Sequence, residues 1–183
     1  MIGSKRSSGC DIVDTIDTLE KDLARAIGFV GNCDSKASII LGATMTSVSL
    51  ILGLCGSAIS ECAHSADNLI SGTVWVLAAS SAVLLVIGVA YLLSTLYARG
   101  LTDGEREECG TVFFGDIASV GLEKYRETVL ARDADRYIRE ITEQIHVNAR
   151  ICEKKYRYYD RGLVFSVFGV ALMILLSVVC LVC

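Results

Sequence analysis

The chain contains no proline, so nowhere is φ locked or a backbone donor removed in the way that breaks helices. It has only two histidines, His64 and His146. Neither has a recognisable partner arrangement, and no HExxH, GxSxG or P-loop pattern is present, so hydrolytic and nucleophilic catalysis lack their usual residues. A role other than catalysis is expected, since an enzyme would need a concealed site near His146 and Asp116.

Charge is missing in blocks. Residues 37–60, 68–98 and 162–183 hold no Asp, Glu, Lys or Arg. Each exceeds the roughly 20 residues with which a helix crosses a ~30 Å hydrocarbon core. The absence of charge inside them argues against a proton relay, an ion-coupled transporter or a voltage sensor. With 52% hydrophobic residues and a mean hydropathy of +0.51, the chain belongs with membrane proteins. A cleavable leader needs an apolar segment near the N-terminus, whereas residues 1–8 are polar and residues 10–30 read as a charged helix, so the first span is expected to be an anchor.

Cations are also missing from one side. All 17 Lys and Arg lie before the first span or between the second and third. Retained positive charge marks the cytoplasmic face, which places the N-terminus and the central segment inside and the C-terminus outside. On that inner side five cations stand against six anions through Lys36, and twelve against thirteen over residues 99–161. So even a balance is a poor footprint for nucleic acid.

The expected fold is an all-α membrane protein with three transmembrane helices. A small helical cytoplasmic part would be formed by an N-terminal amphipathic helix and a long helix continuous with the last span. In order, the divisions are a cytoplasmic amphipathic helix over 1–36, a span over 37–60, an outer connector over 61–72, a span over 73–97, a cytoplasmic helical segment over 98–161 and a last span over 162–183. Ile12, Ile16, Leu19, Leu23, Ile27 and Val30 make an apolar stripe on the first helix. Gly28 and Gly31 are expected to loosen it before the membrane. Ile138, Ile141, Ile145, Asn148, Cys152, Tyr156 and Tyr159 make the stripe of the long helix, which meets the last span with only Gly162 at the join. Both helices enter the membrane in the same direction. Aligning Lys36 with Arg161 pairs Ile16 with Ile141, Leu23 with Asn148 and Ile27 with Cys152. Gly42, Thr46, Ser49 and Gly53 form a small-residue face on the first span, and Ser80, Ser81, Gly88, Ser166, Gly169 and Ser177 recur on the others, as in closely packed membrane helices.

Eight cysteines are present, and only Cys180 and Cys183 have CxxC spacing. With no second pair and no histidine beside them, they read as small apolar helix residues rather than a metal or redox site. Cys55, Cys62, Cys180 and Cys183 all fall toward the outer side, where a disulfide is permitted.

Two stretches carry candidate binding chemistry. TVFFGDIASV, residues 111–120, is expected to turn at Gly115, with Asp116 opening a helix and backbone N–H groups available to an anion. Residues 150–161 interleave Arg150, Lys154, Lys155, Arg157 and Arg161 with Tyr156, Tyr158 and Tyr159. That collar suits lipid headgroups, and it equally offers a small anion bearing a base a cation for its phosphate and rings for stacking.

Asn32-Cys33-Asp34-Ser35-Lys36-Ala37 entering the first span, Phe113-Phe114-Gly115-Asp116-Ile117 in the centre, and Asn148-Ala149-Arg150 with Lys154-Lys155-Tyr156 before the last span together resemble the Pycsar transmembrane effectors of bacterial antiphage defence. The resemblance runs from about Asp11 to the last span, and it is carried by the order of the motifs together with the topology. It implies an effector in the bacterial inner membrane that answers cyclic CMP or cyclic UMP from a partner pyrimidine cyclase. The effector would then impair the membrane before a phage matures, which is abortive infection. Ligand-binding or gating candidates are Asp34, Lys36, Phe114, Gly115, Asp116, Arg150, Lys155 and Tyr156, with no catalytic or metal residue and no cofactor beyond that regulatory nucleotide. The partners implied are the lipid bilayer, the cyclic nucleotide and further copies of the chain as a homo-oligomer. The central segment is too short for a jelly-roll nucleotide domain and lacks its alternating strands, so a pocket would have to be built from helices. The alternative reading is a passive anchor or scaffold that recruits a soluble partner to the membrane.

Overall fold

The computed structural model describes residues 9–64, 68–97, 112 and 114–182. The described residues form five helices: α1 (Gly9–Ala63), α2 (Asn68–Tyr97), α3 (Phe114–Ser119), α4 (Leu122–Leu130) and α5 (Ala134–Val182). No strand occurs among the described residues. Three of these helices, within Asp11–Ala63, Leu69–Tyr97 and Ala134–Val182, are long and apolar enough to cross a membrane. At about 1.5 Å per residue, the 55 residues of α1 and the 49 of α5 are far longer than a bilayer core requires.

α1 runs as one helix through Gly28 and Gly31. Hydrogen bonding along the helix and the lack of any proline keep it intact, and added Cβ atoms at these glycines would meet nothing. α5 is likewise unbroken through Gly162. It starts where Asp133 Oδ1 accepts the Arg136 backbone N–H at 2.9 Å, an N-cap that satisfies one of the helix's orphan donors.

α1 continues to Ala63 and α2 begins at Asn68, so helix extends into both ends of the stretch 61–72. The Ser71 hydroxyl donates to the Ala63 carbonyl at 2.7 Å, satisfying one of the acceptors left over at the end of α1. Gly115 is inside α3 rather than at a turn, and no described residue has a positive φ. The chain leaves the helix at Val120, and Gly121 is extended at φ −68°, ψ 152° before α4.

The chain divides into two compact units, one of Met1–Gly31 with Arg99–Glu153 and one of Asn32–Ala98 with Lys154–Cys183. In the first, Ile141 is fully buried, and the Tyr137 hydroxyl donates to Glu20 Oε1 at 2.7 Å. This contact joins residues 117 apart in the chain. The half-buried face of α1 runs Ile12, Ile16, Leu19, Leu23, Ala26, Val30. Ile27, expected in that stripe, is 54% exposed, because strict alternation of three- and four-residue steps selects Ala26.

In the second unit the same alternation continues. On α1 it passes through Cys33, Ala37, Ile40, Thr44, Ser47 and Ile51, on α2 it buries Val74, Ser81, Gly88 and Thr95 at every seventh residue, and on α5 it buries Gly162, Ser166, Gly169, Met173, Leu176 and Cys180. A sustained seven-residue repeat keeps one seam facing its neighbours along supercoiled helices. The seam itself is made of small and hydroxylic residues, while Leu54, Val86 and Val178 point outward. That inversion suits lipid, where apolar side chains gain nothing by burial and backbones associate through small residues.

α2 and α5 pack most closely. A Cβ on Gly88 would fall 2.6 Å from Ser166 Oγ and 2.8 Å from its backbone nitrogen, one on Gly162 would fall 2.8 Å from Leu92 Cγ, and one on Gly169 would fall 2.7 Å from Leu85 Cγ. The expected small face of α1 behaves differently, since Gly42 and Gly53 have open space where a Cβ would sit and Thr46 and Ser49 are exposed. At the far end of this unit Cys180 lies in an apolar cluster with Val74 and Leu176, packed by Ile59 and Cys62.

Candidate functional site

The site begins with a choice of register on α5. The sequence stripe passes from Cys152 to Tyr156, but the structure buries Lys155 instead, continuing the three-four alternation from Asn148 and Cys152. A lysine accepts that position only with a partner, because an unpaired ammonium loses its hydration for nothing in return. Asp34 of α1 supplies one: Lys155 Nζ donates to Asp34 Oδ1 at 2.5 Å, with the lysine side chain 6% exposed and the aspartate 37%. On α1 the pair is flanked by Cys33 and Ala37, both fully buried. These small side chains let the long lysine lie between the helices.

Lys36 and Tyr156 stand beside this pair. The Lys36 ammonium is 5.9 Å from the centroid of the Tyr156 ring, and Tyr156 meets Tyr159 edge to face at 6.4 Å. Lys36 is exposed and has no carboxylate within salt-bridge distance among the described residues. Asp34, Lys36, Lys155 and Tyr156, four residues singled out from sequence, therefore converge. Aligning Lys36 with Arg161 missed this register by about one turn, because the ion pair and not the stripe residues fixes it.

The remaining candidates belong to the first unit. Arg150 is exposed on α5, and Gly115 lies in α3. The side chains of Phe114 and Asp116 lie outside the described residues. Asn148, the polar interruption of the α5 stripe, is satisfied by its own helix, donating from Nδ2 to the Gln144 carbonyl at 2.8 Å.

Sequence reasoning missed two further clusters. Tyr137 links α5 to α1 through Glu20, and the Arg132 guanidinium lies 3.7 Å from its ring centroid. The hydrogen bond to the Glu20 carboxylate, with desolvation adding to it, raises the phenol above its usual range. Tyr91 of α2 stacks on Phe165 at 5.9 Å with 5° between the rings and sits 6.2 Å from Tyr158. The signal for that cluster was Tyr91, which with Trp75 and Tyr97 supplies the aromatics of the uncharged run 68–98. The tyrosine-rich collar is thus split between two faces of α5, with Tyr156 and Tyr159 by Lys36 and Tyr158 by Tyr91.

Chemically, the first face presents a free cation, an aromatic ring and a second cation held by a carboxylate. No group of His, Cys, Asp and Glu among the described residues is arranged to hold a metal ion. A family model for the Pycsar effector protein domain matches residues 18–182. The chain is 29% identical over 113 residues to the Pycsar effector protein PtPycTM of Propioniciclava tarda, a match covering 59% of this chain and 52% of that protein, so it spans about half of that relative's length. It is 21% identical over 186 residues to the Pycsar effector protein GmPycTM of Gulbenkiania mobilis, covering 90% of each. No solved structure matches it. Since the family match reaches from within α1 to the end of α5 and takes in every residue of the convergent site, the chain belongs to the Pycsar effector protein family.

Proposed function

We propose that the chain is a nucleotide-gated membrane effector of antiphage defence, oriented with its N-terminus in the cytoplasm and its C-terminus outside the bacterial inner membrane. The cyclic nucleotide is a cyclic pyrimidine mononucleotide, cCMP or cUMP, made by a partner cyclase. Activation impairs the membrane and ends growth of the infected cell, and the active form is a homo-oligomer. One observation carries this reading: a buried Lys155 is paired across two helices with a partly exposed Asp34, beside an unpaired Lys36 over the Tyr156 ring. A cyclic nucleotide brings one negative phosphate and one flat base. Lys36 suits the phosphate and the Tyr156 and Tyr159 rings suit the base. A phosphate near Lys36 also draws on Lys155 and competes with Asp34. The ligand therefore favours the conformation in which that pair is open, and differential affinity of this kind is what shifts a population. Opening the pair loosens α1 from α5 within the membrane unit.

The test is coexpression of the chain with a pyrimidine cyclase, following membrane potential and dye entry while intracellular cCMP and cUMP are measured by mass spectrometry. Depolarisation or dye entry is expected with the intact chain, and none with Lys36→Ala. An unchanged potential in cells shown to contain the nucleotides, with the intact chain present in the membrane, would sink the reading. It would then leave a passive scaffold, identified by copurification of a soluble protein without toxicity.

A further inference from the structure

The second face of the α5 collar has chemistry of its own. Lys154, Tyr158, Arg161 and Phe165 follow at steps of four, three and four, which puts them on one side of the helix. In that order they grade from cation through phenol and cation to an apolar ring. Arg161 is the last charged residue before the uncharged run, so this grading crosses the boundary of the span.

Its geometry is fixed by packing. Gly162, next to Arg161, is buried so tightly that a Cβ would fall 3.0 Å from the Leu92 backbone nitrogen. The backbone carrying Arg161 is thereby held against α2 and cannot slide away from the boundary. The Arg161 guanidinium centre is 5.9 Å from the Tyr91 ring centroid, and Tyr91 is clasped between Phe165 and Tyr158. Among the described residues Arg161 and Lys154 have no carboxylate partner, and the Tyr91 and Tyr158 hydroxyls have no hydrogen-bond partner, although both tyrosines are half-buried. The cluster therefore offers two cations and two O–H donors. The two tyrosine hydroxyl oxygens are open to an incoming acceptor, since the Ser166 hydroxyl is the one buried side-chain polar atom without a partner among the described residues.

We propose that Lys154, Arg161 and the Tyr91 and Tyr158 hydroxyls hold the phosphate of an anionic phospholipid where α2 and α5 meet the membrane boundary. A guanidinium with adjacent O–H donors matches tetrahedral phosphate oxygens. Lipid is the occupant rather than a free anion because the same face continues into exposed Val164 and Phe168, 51% and 61% accessible, against which an acyl chain lies. A soluble anion gains nothing from that surface. This site is separate from the Lys36–Tyr156 face and does not depend on nucleotide binding.

The experiment is native mass spectrometry of the full chain released from nanodiscs containing equal phosphatidylglycerol and phosphatidylcholine. Retention of phosphatidylglycerol over phosphatidylcholine is expected. A Lys154→Gln, Arg161→Gln variant should lower that retention about tenfold, the effect of losing charge-assisted hydrogen bonds. Tyr91→Phe with Tyr158→Phe keeps the rings and should lower it less. Arg126→Gln with Arg139→Gln, the same charge change on exposed residues of α4 and α5 outside the collar, should leave it unchanged, and helicity by circular dichroism should be the same in all. The proposal is overturned if both lipids are retained equally, if the Arg126, Arg139 variant loses as much as the Lys154, Arg161 variant, or if glycerol 3-phosphate displaces the lipid at matched concentration. That last outcome would show a free-anion site.

Discussion

Removing one member of the Asp34–Lys155 pair should be costly, but which member is removed matters more than the loss of the bond. In Asp34→Ala, the lysine keeps its buried position with a side chain only 6% exposed, and its ammonium loses its carboxylate while remaining out of water. Breaking a buried pair in this way costs about 3 to 5 kcal/mol. In Lys155→Met, the stranded group is Asp34, whose side chain is 37% exposed and recovers hydration by a small rotation. Methionine meanwhile replaces the buried lysine stem with an uncharged chain of similar length. That change should cost about 1 kcal/mol or less. The double variant Asp34→Ala, Lys155→Met should be close to Lys155→Met alone, because no charge is left buried. Thermal unfolding in a mild detergent, followed by tryptophan fluorescence and circular dichroism, measures the order of stabilities. Equal losses from the two single variants, or a larger loss from Lys155→Met, would refute the argument that the buried ammonium sets the energetics.

Gly88→Val should splay α2 from α5, since its Cβ would fall 2.8 Å from the Ser166 backbone nitrogen, which cannot rotate away; a loss of about 1 to 3 kcal/mol is expected. Gly53→Ala, where a Cβ meets nothing within 4 Å, should be neutral in the same unfolding assay. The Ser166 hydroxyl is buried without a hydrogen-bond partner, so Ser166→Ala should be neutral or stabilising by about 1 kcal/mol. Tyr137 has its phenol pKa raised by Glu20, so its contribution to stability is fully present below the ordinary phenol value of 10.0. That contribution is lost as pH rises through the folded-state value. Absorbance titration at alkaline pH should show one late-ionising tyrosine that disappears in Glu20→Gln.

Much of the fold was legible because membrane crossing is a one-dimensional property. An uncharged run of sufficient length is enough to name a span, and an absence of proline is enough to expect long helices. The parallel direction of α1 and α5 followed from topology, and Asp34 meeting Lys155 and Cys62 meeting the Cys180 carbonyl at 3.5 Å bear it out. The register did not follow. A stripe chosen by hydrophobicity takes Ile27 and Tyr156, whereas a stripe chosen by spacing takes Ala26 and Lys155. Hydrophobicity is a weak guide in a seam whose purpose is close approach, and a lysine in the seam becomes acceptable only when the other helix brings Asp34 to it. The helix at Gly115 was missed for a related reason, since a Phe-Gly-Asp sequence is compatible with a turn and is helical here without any left-handed residue.

The sequence by itself determined the class of the protein, its three spans, the placement of its cations and the residues from which a nucleotide site could be drawn. These rest on composition and order along the chain, which no packing can alter. Only the tertiary structure decided that Asp34, Lys36, Lys155 and Tyr156 form one cluster while Tyr158 and Arg161 face Tyr91 in another. The reason is that side chains three or four residues apart share a helix face, which sets Tyr158 with Arg161, whereas Asp34 reaches Lys155 and Lys36 reaches Tyr156 only through contacts between helices. Which face meets which helix depends on backbones brought together through Gly88, Gly162 and Gly169, and on a buried charge that must find its partner.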